Sequence, residues 1–412
     1  MQWVGGVTPI PDKAAALRQP ILPVSPQQVL LPLAYGDEDV RVPAIDRNDT
    51  VVRGRPIGLP AQTGAMVYPS SVTGVFTGLQ QIEHPLYGSL CCAVLQVVEA
   101  HGPDDPPLPR EKPTAEQVIE AARLAGIFDE RDGTALFEKL QALAGSCALL
   151  VADATEAQPF GSASLALLQQ RPEACLGGLR LAALAVGAAG RHIAVQMSRH
   201  RKRKYTKILG KPVLYRVPDR YPVPRYAPAD SRNIGLVGLG ACVALYDAVY
   251  RAQAACCTVV TVAGDGVRHP RNLLVPFGTP AADLLAACDV IDRPVRVIFG
   301  DAFTGVPGSP DLPVLPGMSC LLALVEEKRE HTPGPCIGCG RCVRACHKGL
   351  LPYEIDRLYE GQRYAGLSAL RPDLCDGCGA CALMCPAMRP LAETVQAAAE
   401  HGPIVLEMEA EG

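Results

Sequence analysis

Eight cysteines toward the C-terminal end constrain this chain more than anything else in it. They form two runs of identical spacing, C-x2-C-x2-C-x3-C. Cys336, Cys339, Cys342 and Cys346 lie in CIGCGRCVRACHKG, and Cys375, Cys378, Cys381 and Cys385 lie in CDGCGACALMCP. A tight C-x2-C-x2-C loop wraps one face of a compact inorganic core and turns its amides toward the sulfurs. A cubane [4Fe–4S] cluster asks for four such thiolates. Gly340 and Gly379 supply the left-handed or closely approaching backbone these loops need. Zinc explains the pattern less well, because it is usually met by C-x2-C pairs rather than by two equal quartets. Disulfides would require an oxidising compartment, and the opening MQWVGGVTPIPDK lacks the basic segment and apolar core of a secretory signal.

The same spacing is that of bacterial ferredoxin modules holding two [4Fe–4S] clusters. In such modules the fourth cysteine of each run opens the next segment and ligates the other cluster. That implies a crossed ligand set: Cys336, Cys339, Cys342 and Cys385 around one cluster, and Cys375, Cys378, Cys381 and Cys346 around the other. Pro386 follows the last ligand as in ferredoxins. His347 takes the equivalent place after Cys346, where a solvent-facing imidazole is the simplest expectation.

The rest of the composition is that of an ordinary globular chain. Of 412 residues, 48% are hydrophobic and 20% charged, enough for two to four domains. A formal net charge of −3 gives no overall basic character from which to argue a nucleic-acid partner. The other cysteines, among them Cys91, Cys92, Cys256 and Cys257, sit in apolar runs such as SLCCAVLQVV. There a reduced thiol acts as a small hydrophobe, and so many free thiols beside cluster ligands argue for a reducing cytoplasm. The most apolar stretch, Cys175 to Gly190, is short, glycine-rich and carries Arg180, whereas a membrane span needs about 20 apolar residues.

In order along the chain, residues 1–28 are proline-rich and predict an extended arm. Residues 29–100 alternate short β runs with turns, as a flattened barrel-sandwich does, but carry no lysine at a hairpin tip for a carrier cofactor. His101 to Pro113 reads as a linker. Thr114 with Gln117 predicts a capping box that opens a helix, and ALLVA (148–152) predicts a buried strand ahead of a helix around 163–190; residues 114–255 therefore read as an α/β domain. The basic run Arg199 to Lys207 is expected to be a solvated helix face rather than a docking site. GLVGLGACVAL (235–245) holds a G-x-x-G-x-G phrase without a clear preceding strand or a suitably placed acid. Its glycines predict a helix start and close packing rather than a nucleotide contact. Residues 256–325 predict a compact β-grasp-like unit with a short helix from Pro280 to Cys288, and Glu326 to Pro335 a polar connector. Residues 333–400 form the cluster domain with a closing helix, and EMEAEG a frayed tail.

Taken together, GGVTPIPDK, VVTVAGDGVRHPRNLLVPFGTPAADLL, PVRVIFGDAFTGV and the two cysteine runs resemble one family over nearly the whole chain, the RnfC proteins of the Rnf electron-transport complex. The resemblance implies a multidomain α/β fold. Its parts would be a barrel-sandwich hybrid domain, an α/β domain like the flavoprotein subunit of respiratory complex I, a β-grasp (SLBB-like) domain and a helical two-[4Fe–4S] ferredoxin domain. It also implies an electron-transfer role beside membrane subunits and a ferredoxin or other redox protein, in the cytoplasm at the inner face of the membrane.

The chain departs from that family where FMN and NADH would bind. After Ala125–Gly126–Ile127 the family has a glycine-rich loop; here the sequence is FDERDGTALFEKL, with Gly133 as its one glycine. Loss of the loop removes a backbone cradle for phosphate, and Asp129, Glu130 and Asp132 would repel one. An NGAECEPY-like phrase appears as DATEAQPF, matching at Glu156 and Pro159 but with Gln158 at the second acidic position. Tyr221–Pro222 runs into VPRYAPAD without the family's glycines. These differences argue against bound FMN and against direct NADH oxidation. No nucleophile, general acid or metal-hydroxide constellation is legible, so the chain reads as a relay within a complex. The rival expectations are a stand-alone flavin-dependent NADH reductase of the cobalamin-reductase type and an assembly scaffold with structural clusters.

Overall fold

A computed structural model describes residues 5–8, 13–35, 42–43, 45–59, 65–101, 112–156, 158–196, 202–210, 213–222, 233–325 and 332–410, residues 401–410 as backbone alone. The linker expected at His101–Pro113, the start of the basic run and the connector from Glu326 lie largely outside these residues.

The long hairpin of Thr73–His84 and Gly88–Glu99 is the centre of the N-terminal half. Gln28–Pro32 pairs antiparallel with its second strand and Thr50–Val51 with its first. Successive strand side chains point to opposite faces, and here both faces are buried. Val29, Leu31, Ala93 and Leu95 join one apolar cluster with Val118, Leu150, Leu179 and Leu245. Leu30, Leu90 and Cys92, one residue out of phase, join a second with Val260, Leu284 and Phe299. Burial on both faces is why LLPL and CCAVL show no polar alternation.

The first cluster belongs to a four-stranded parallel sheet in the order Leu214–Val217, Gly190–Gln196, Leu149–Ala154, Ile234–Gly238. Helix Ala115–Leu124 is opened by the expected capping box: Thr114 accepts from the Gln117 amide and Gln117 from the Thr114 amide. The single helix expected around 163–190 is two, Ala163–Gln170 and Pro172–Val186, because Pro172 offers no N–H and starts a new helix after Arg171. Ile234–Gly238 is a strand that feeds directly into helix Leu239–Arg251. The expectation that no strand precedes the glycine phrase therefore fails, because the strand overlaps it. The glycines do mark the helix start. The described part of the basic run, helix Lys202–Leu209, buries Tyr205 and Leu209 and exposes Arg203, Lys204 and Lys207, a solvated charged face.

The second cluster lies under a six-stranded mixed sheet ordered Leu22–Pro23, Arg271–Pro276, Cys257–Ala263, Cys320–Val325, Val295–Phe299, Val306–Gly308, with helix Ala281–Ala287 against it. Its edge strand comes from the N-terminal arm, in register Leu22 with Leu273. The arm also carries a short helix, Ala14–Leu17.

The C-terminal region is helical. Helices Pro352–Glu360 and Leu391–Ala410 pack around Leu350, Ile355, Leu367, Val395 and Ala398. The closing helix runs to Ala410, into the EMEAEG tail expected to fray, whose last two residues lie outside the described ones. Among the described residues no helix is long and apolar enough to cross a membrane.

Replacing Thr114 by Ala removes one half of the capping box. It should lower unfolding stability by about 1 kcal/mol, read from urea denaturation, while Thr114→Ser should lose little.

Candidate iron–sulfur sites and a filled helix terminus

Each cysteine run begins as an open loop and ends in a short helix, Arg341–Ala345 or Ala380–Leu383. The loops turn left-handed twice each, at Gly338 and Gly340 and at Gly377 and Gly379, with φ between +65° and +74°. The expectation from sequence covers the second glycine of each pair. The first, in CIG and CDG, carries the same signal.

Two hollows take four cysteines apiece. One, of about 530 Å³, is lined by Cys336, Cys339, Cys342 and Cys385. The other is a small hollow of about 20 Å³, lined by Cys346, Cys375, Cys378 and Cys381. In both, the fourth cysteine of one run stands with the first three of the other. This donor set fits two [4Fe–4S] clusters, since every quartet offers four soft ligands around one space.

The two sites differ in exposure. Cys336 and Cys339 are exposed, and Ile337 between them is 68% exposed. Arg344 lines this first hollow, as does Arg389, which is tied to buried Asp356 at 2.7 Å and to Glu360. The second hollow faces the body of the protein. Tyr221 donates its hydroxyl to the Cys378 carbonyl at 2.5 Å and packs tilted against Phe303 with ring centres 4.6 Å apart. The Gly6 amide donates to the Ala345 carbonyl at 2.8 Å. His347 is not solvent-facing as expected: its side chain is 14% exposed and lies 2.7 Å from the Asp376 carboxylate. Burial would raise Asp376, but the His347 and Lys348 contacts outweigh it and hold that carboxyl at about 2.

The residues expected to have lost a flavin also have defined positions. Asp129 and Asp132 both bind Lys139, at 2.5 and 2.6 Å. Asp129 further accepts from the Gly238 amide, and Glu130 from the Gly240 and Ala241 amides, at the start of helix Leu239–Arg251. Glu130 lines a cavity of about 460 Å³, together with Arg171, Asp247 and Arg251. Arg171 grips Asp247 with two bonds of 2.7 and 2.8 Å. Glu156 accepts from the Ser164 amide at 2.6 Å, and Lys13 donates to the Glu156 carbonyl. Gln158 donates to the Thr304 hydroxyl and accepts from the Phe303 amide, both across to the six-stranded sheet. Lys13, buried at 8% exposure, carries no signal in the sequence. The nine other cysteines are free thiols, seven buried and two partly so.

The family profile described as "4Fe-4S dicluster domain" matches residues 335–388, the span that holds both quartets. The chain is 26% identical over 367 residues to the C subunit of the ion-translocating oxidoreductase complex of Rhodobacter capsulatus, covering 82% of this chain and 70% of that one. It is 24% identical over 393 residues to the C subunit of the proton-translocating ferredoxin:NAD(+) oxidoreductase complex of Clostridium ljungdahlii, covering 87% and 85%. It is 25% identical over 385 residues to the C subunit of the Na(+)-translocating ferredoxin:NAD(+) oxidoreductase complex of Acetobacterium woodii, covering 85% and 86%. The resemblance to RnfC proteins thus holds over more than four fifths of the chain.

Burial pushes Glu156 up to about 7 against the pull of Lys13. Burial, with Asp129 nearby, likewise pushes Glu130 up to about 7. Both folded values lie above the unfolded one. The stability they contribute is complete below the unfolded value, near pH 4.5, and is lost as pH rises through about 7. The unfolding midpoint of wild type relative to Glu130→Gln should therefore fall between about pH 5 and pH 8. A difference that stays flat over that range would mean that Glu130 titrates normally.

Proposed function

We propose that this chain is an electron-transfer iron–sulfur protein, the RnfC-like member of a membrane-associated ion-translocating oxidoreductase, without an FMN/NADH site of its own. The observation that carries the reading is the sorting of eight cysteines into two hollows of four, within a chain that resembles RnfC proteins along most of its length. Cys336, Cys339, Cys342 and Cys385 would hold one [4Fe–4S] cluster, and Cys375, Cys378, Cys381 and Cys346 the other. When bound, such clusters accept and release single electrons, at potentials set by hydrogen bonding and exposure.

The residues around them do the rest. Tyr221, Phe303 and the Gly5–Thr8 segment hold the cluster domain on the body and keep solvent from the second quartet. The first quartet, with Ile337 exposed between two ligands and Arg341 and Arg344 exposed beside them, is the side open to a redox partner such as a ferredoxin. The upstream pieces fit the layout implied by the resemblance. The hairpin sheet (29–100) reads as a barrel-sandwich, the parallel sheet (114–255) as a degenerate complex-I-flavoprotein-like domain, and the six-stranded sheet (256–325) as an SLBB-like β-grasp. The lack of a spanning helix among the described residues suits a protein that reaches the inner face of the membrane by docking to partner subunits. FMN does not fit the geometry at residues 129–130, where carboxylates already hold the amides a phosphate would use.

Anaerobically purified protein should contain about eight irons, bleach with dithionite and lack stoichiometric flavin. Cys339→Ser should lose about four irons and perturb the second signal in electron paramagnetic resonance, because each quartet draws on both runs. Iron that stays near eight in that variant would refute the ligand assignment. Bound FMN bleached by NADH would instead establish the stand-alone reductase.

A further inference from the structure

Helix Leu239–Arg251 begins at the carboxyl end of a strand in the parallel sheet, the edge where open α/β sheets usually take their ligands. Its first turn leaves backbone N–H groups that no carbonyl of the helix can reach, and with the helix dipole they favour an anion. Here the anion belongs to the chain. Glu130 Oε2 accepts from Ala241 at 2.9 Å, Glu130 Oε1 accepts from Gly240, and Asp129 Oδ1 accepts from Gly238 at 3.0 Å.

The fit is close. A Cβ added to Gly238 would lie 2.3 Å from Glu130 Cδ, and one added to Gly240 would lie 3.0 Å from Oε1. The segment is also tied from its other side. Lys139 holds the second oxygen of Asp129 at 2.5 Å, the Arg131 amide returns to its first at 2.9 Å, and Arg131 Nε reaches Asp153 at 2.8 Å. Glu130 keeps part of its surface on the cavity of about 460 Å³, so it stands between that space and the helix terminus.

We infer that Glu130 is an internal ligand, occupying the anion cradle of helix Leu239–Arg251 and closing the adjoining cavity to phosphate-bearing cofactors. The phrase GLVGLGA is then a phosphate-type cradle whose guest is built into the polypeptide. Gly238 and Gly240 are small because a carboxylate must come within bonding distance of the amides. The inference rests on the absence of an FMN site proposed above but not on the cysteine sites, so the phosphate response of Glu130→Gly can fail while iron content and the lack of flavin stand.

The full-length, cluster-loaded protein decides the matter near pH 8. Thermal melts would be run with inorganic phosphate and with chloride at matched ionic strength, on wild type, Glu130→Gly and Glu130→Gln. Glu130→Gly should melt lower in chloride, and phosphate should raise its midpoint saturably by about 2–4 °C. Wild type and Glu130→Gln, in which a side chain still fills the cradle, should not respond. Wild type should also leave FMN fluorescence unquenched.

Three results would overturn the inference: saturable binding of phosphate or FMN by wild type, an equal phosphate response in Glu130→Gln, or a folded Glu130→Gly that ignores phosphate. If Glu130→Gly does not fold, Glu130→Ala opens most of the same space and takes its place. The wild-type titrations keep their power to refute in either case.

Discussion

Buried backbone amides have to find acceptors, and leaving one without costs roughly 1–3 kcal/mol. In the middle of this protein, carboxylates meet that demand. Glu130 and Asp129 serve the start of helix Leu239–Arg251, and Glu156 serves Ser164 at the start of helix Ala163–Gln170. Asp301, 8% exposed, accepts from Phe160 at 3.2 Å, Gly161 at 2.6 Å and Ala302 at 2.6 Å. Around Glu156 and Asp301 the negative charge needs a cation, and Lys13 from the arm supplies it. Its burial lowers its pKa, against the attraction of Glu156 and then of Asp301. Where the sheets, helices and arm meet is therefore set by where each terminus finds its acceptor.

That junction explains why the arm is more than a tail. Within about twenty residues it contacts every other part. Gly6 bonds the cluster domain, and Val7 bridges Tyr221. Lys13 donates to the Glu156 carbonyl, and the Ala16 carbonyl accepts from Asn272 at 3.2 Å. Leu22 and Pro23 then complete the six-stranded sheet, and His101 lies 2.7 Å from the Val24 carbonyl. An arm anchored at so many points fixes the cluster domain relative to the two sheets, and with it the direction each cysteine hollow faces.

How much of this is legible in the sequence depends on whether a signal is local. The cysteine spacing and the Thr114–Gln117 box are local chemistry, and both read directly. The strand at Ile234–Gly238 escapes notice because it is five residues long and two of them are glycines of the phrase that opens the helix. The break at Arg171 is legible in Pro172, which suits the first position of a helix and not its interior, but the apolar texture on both sides hides it. His347 looks solvent-facing because nothing near it in sequence announces Asp376, which comes 29 positions later. Lys13 and Glu156 lie 143 positions apart, and no periodicity predicts that they meet. The two-faced burial of the hairpin is legible only as apolar texture; which cluster each face joins is decided by the sheets packed on either side.

The acidic loop at 129–132 and the glycines at 238–240 look, as sequence, like a lost cradle and an unrelated, uninformative phrase. The hydrogen bonds make them two halves of one arrangement. A carboxylate and a phosphate compete for the same amides, and the carboxylate, tethered a few ångströms away, wins by effective concentration without any need for tighter contacts. Once Glu130 is seated, a glycine-rich loop at 128–133 has no phosphate to wrap, and acidic residues there cost nothing more. Asp129 and Asp132 are then free to take Lys139 as their counter-ion. The departure from the family pattern is thus a substitution of one anion for another. It leaves the local fold satisfied, with the Gly238, Gly240 and Ala241 amides already held by side chains of the same chain.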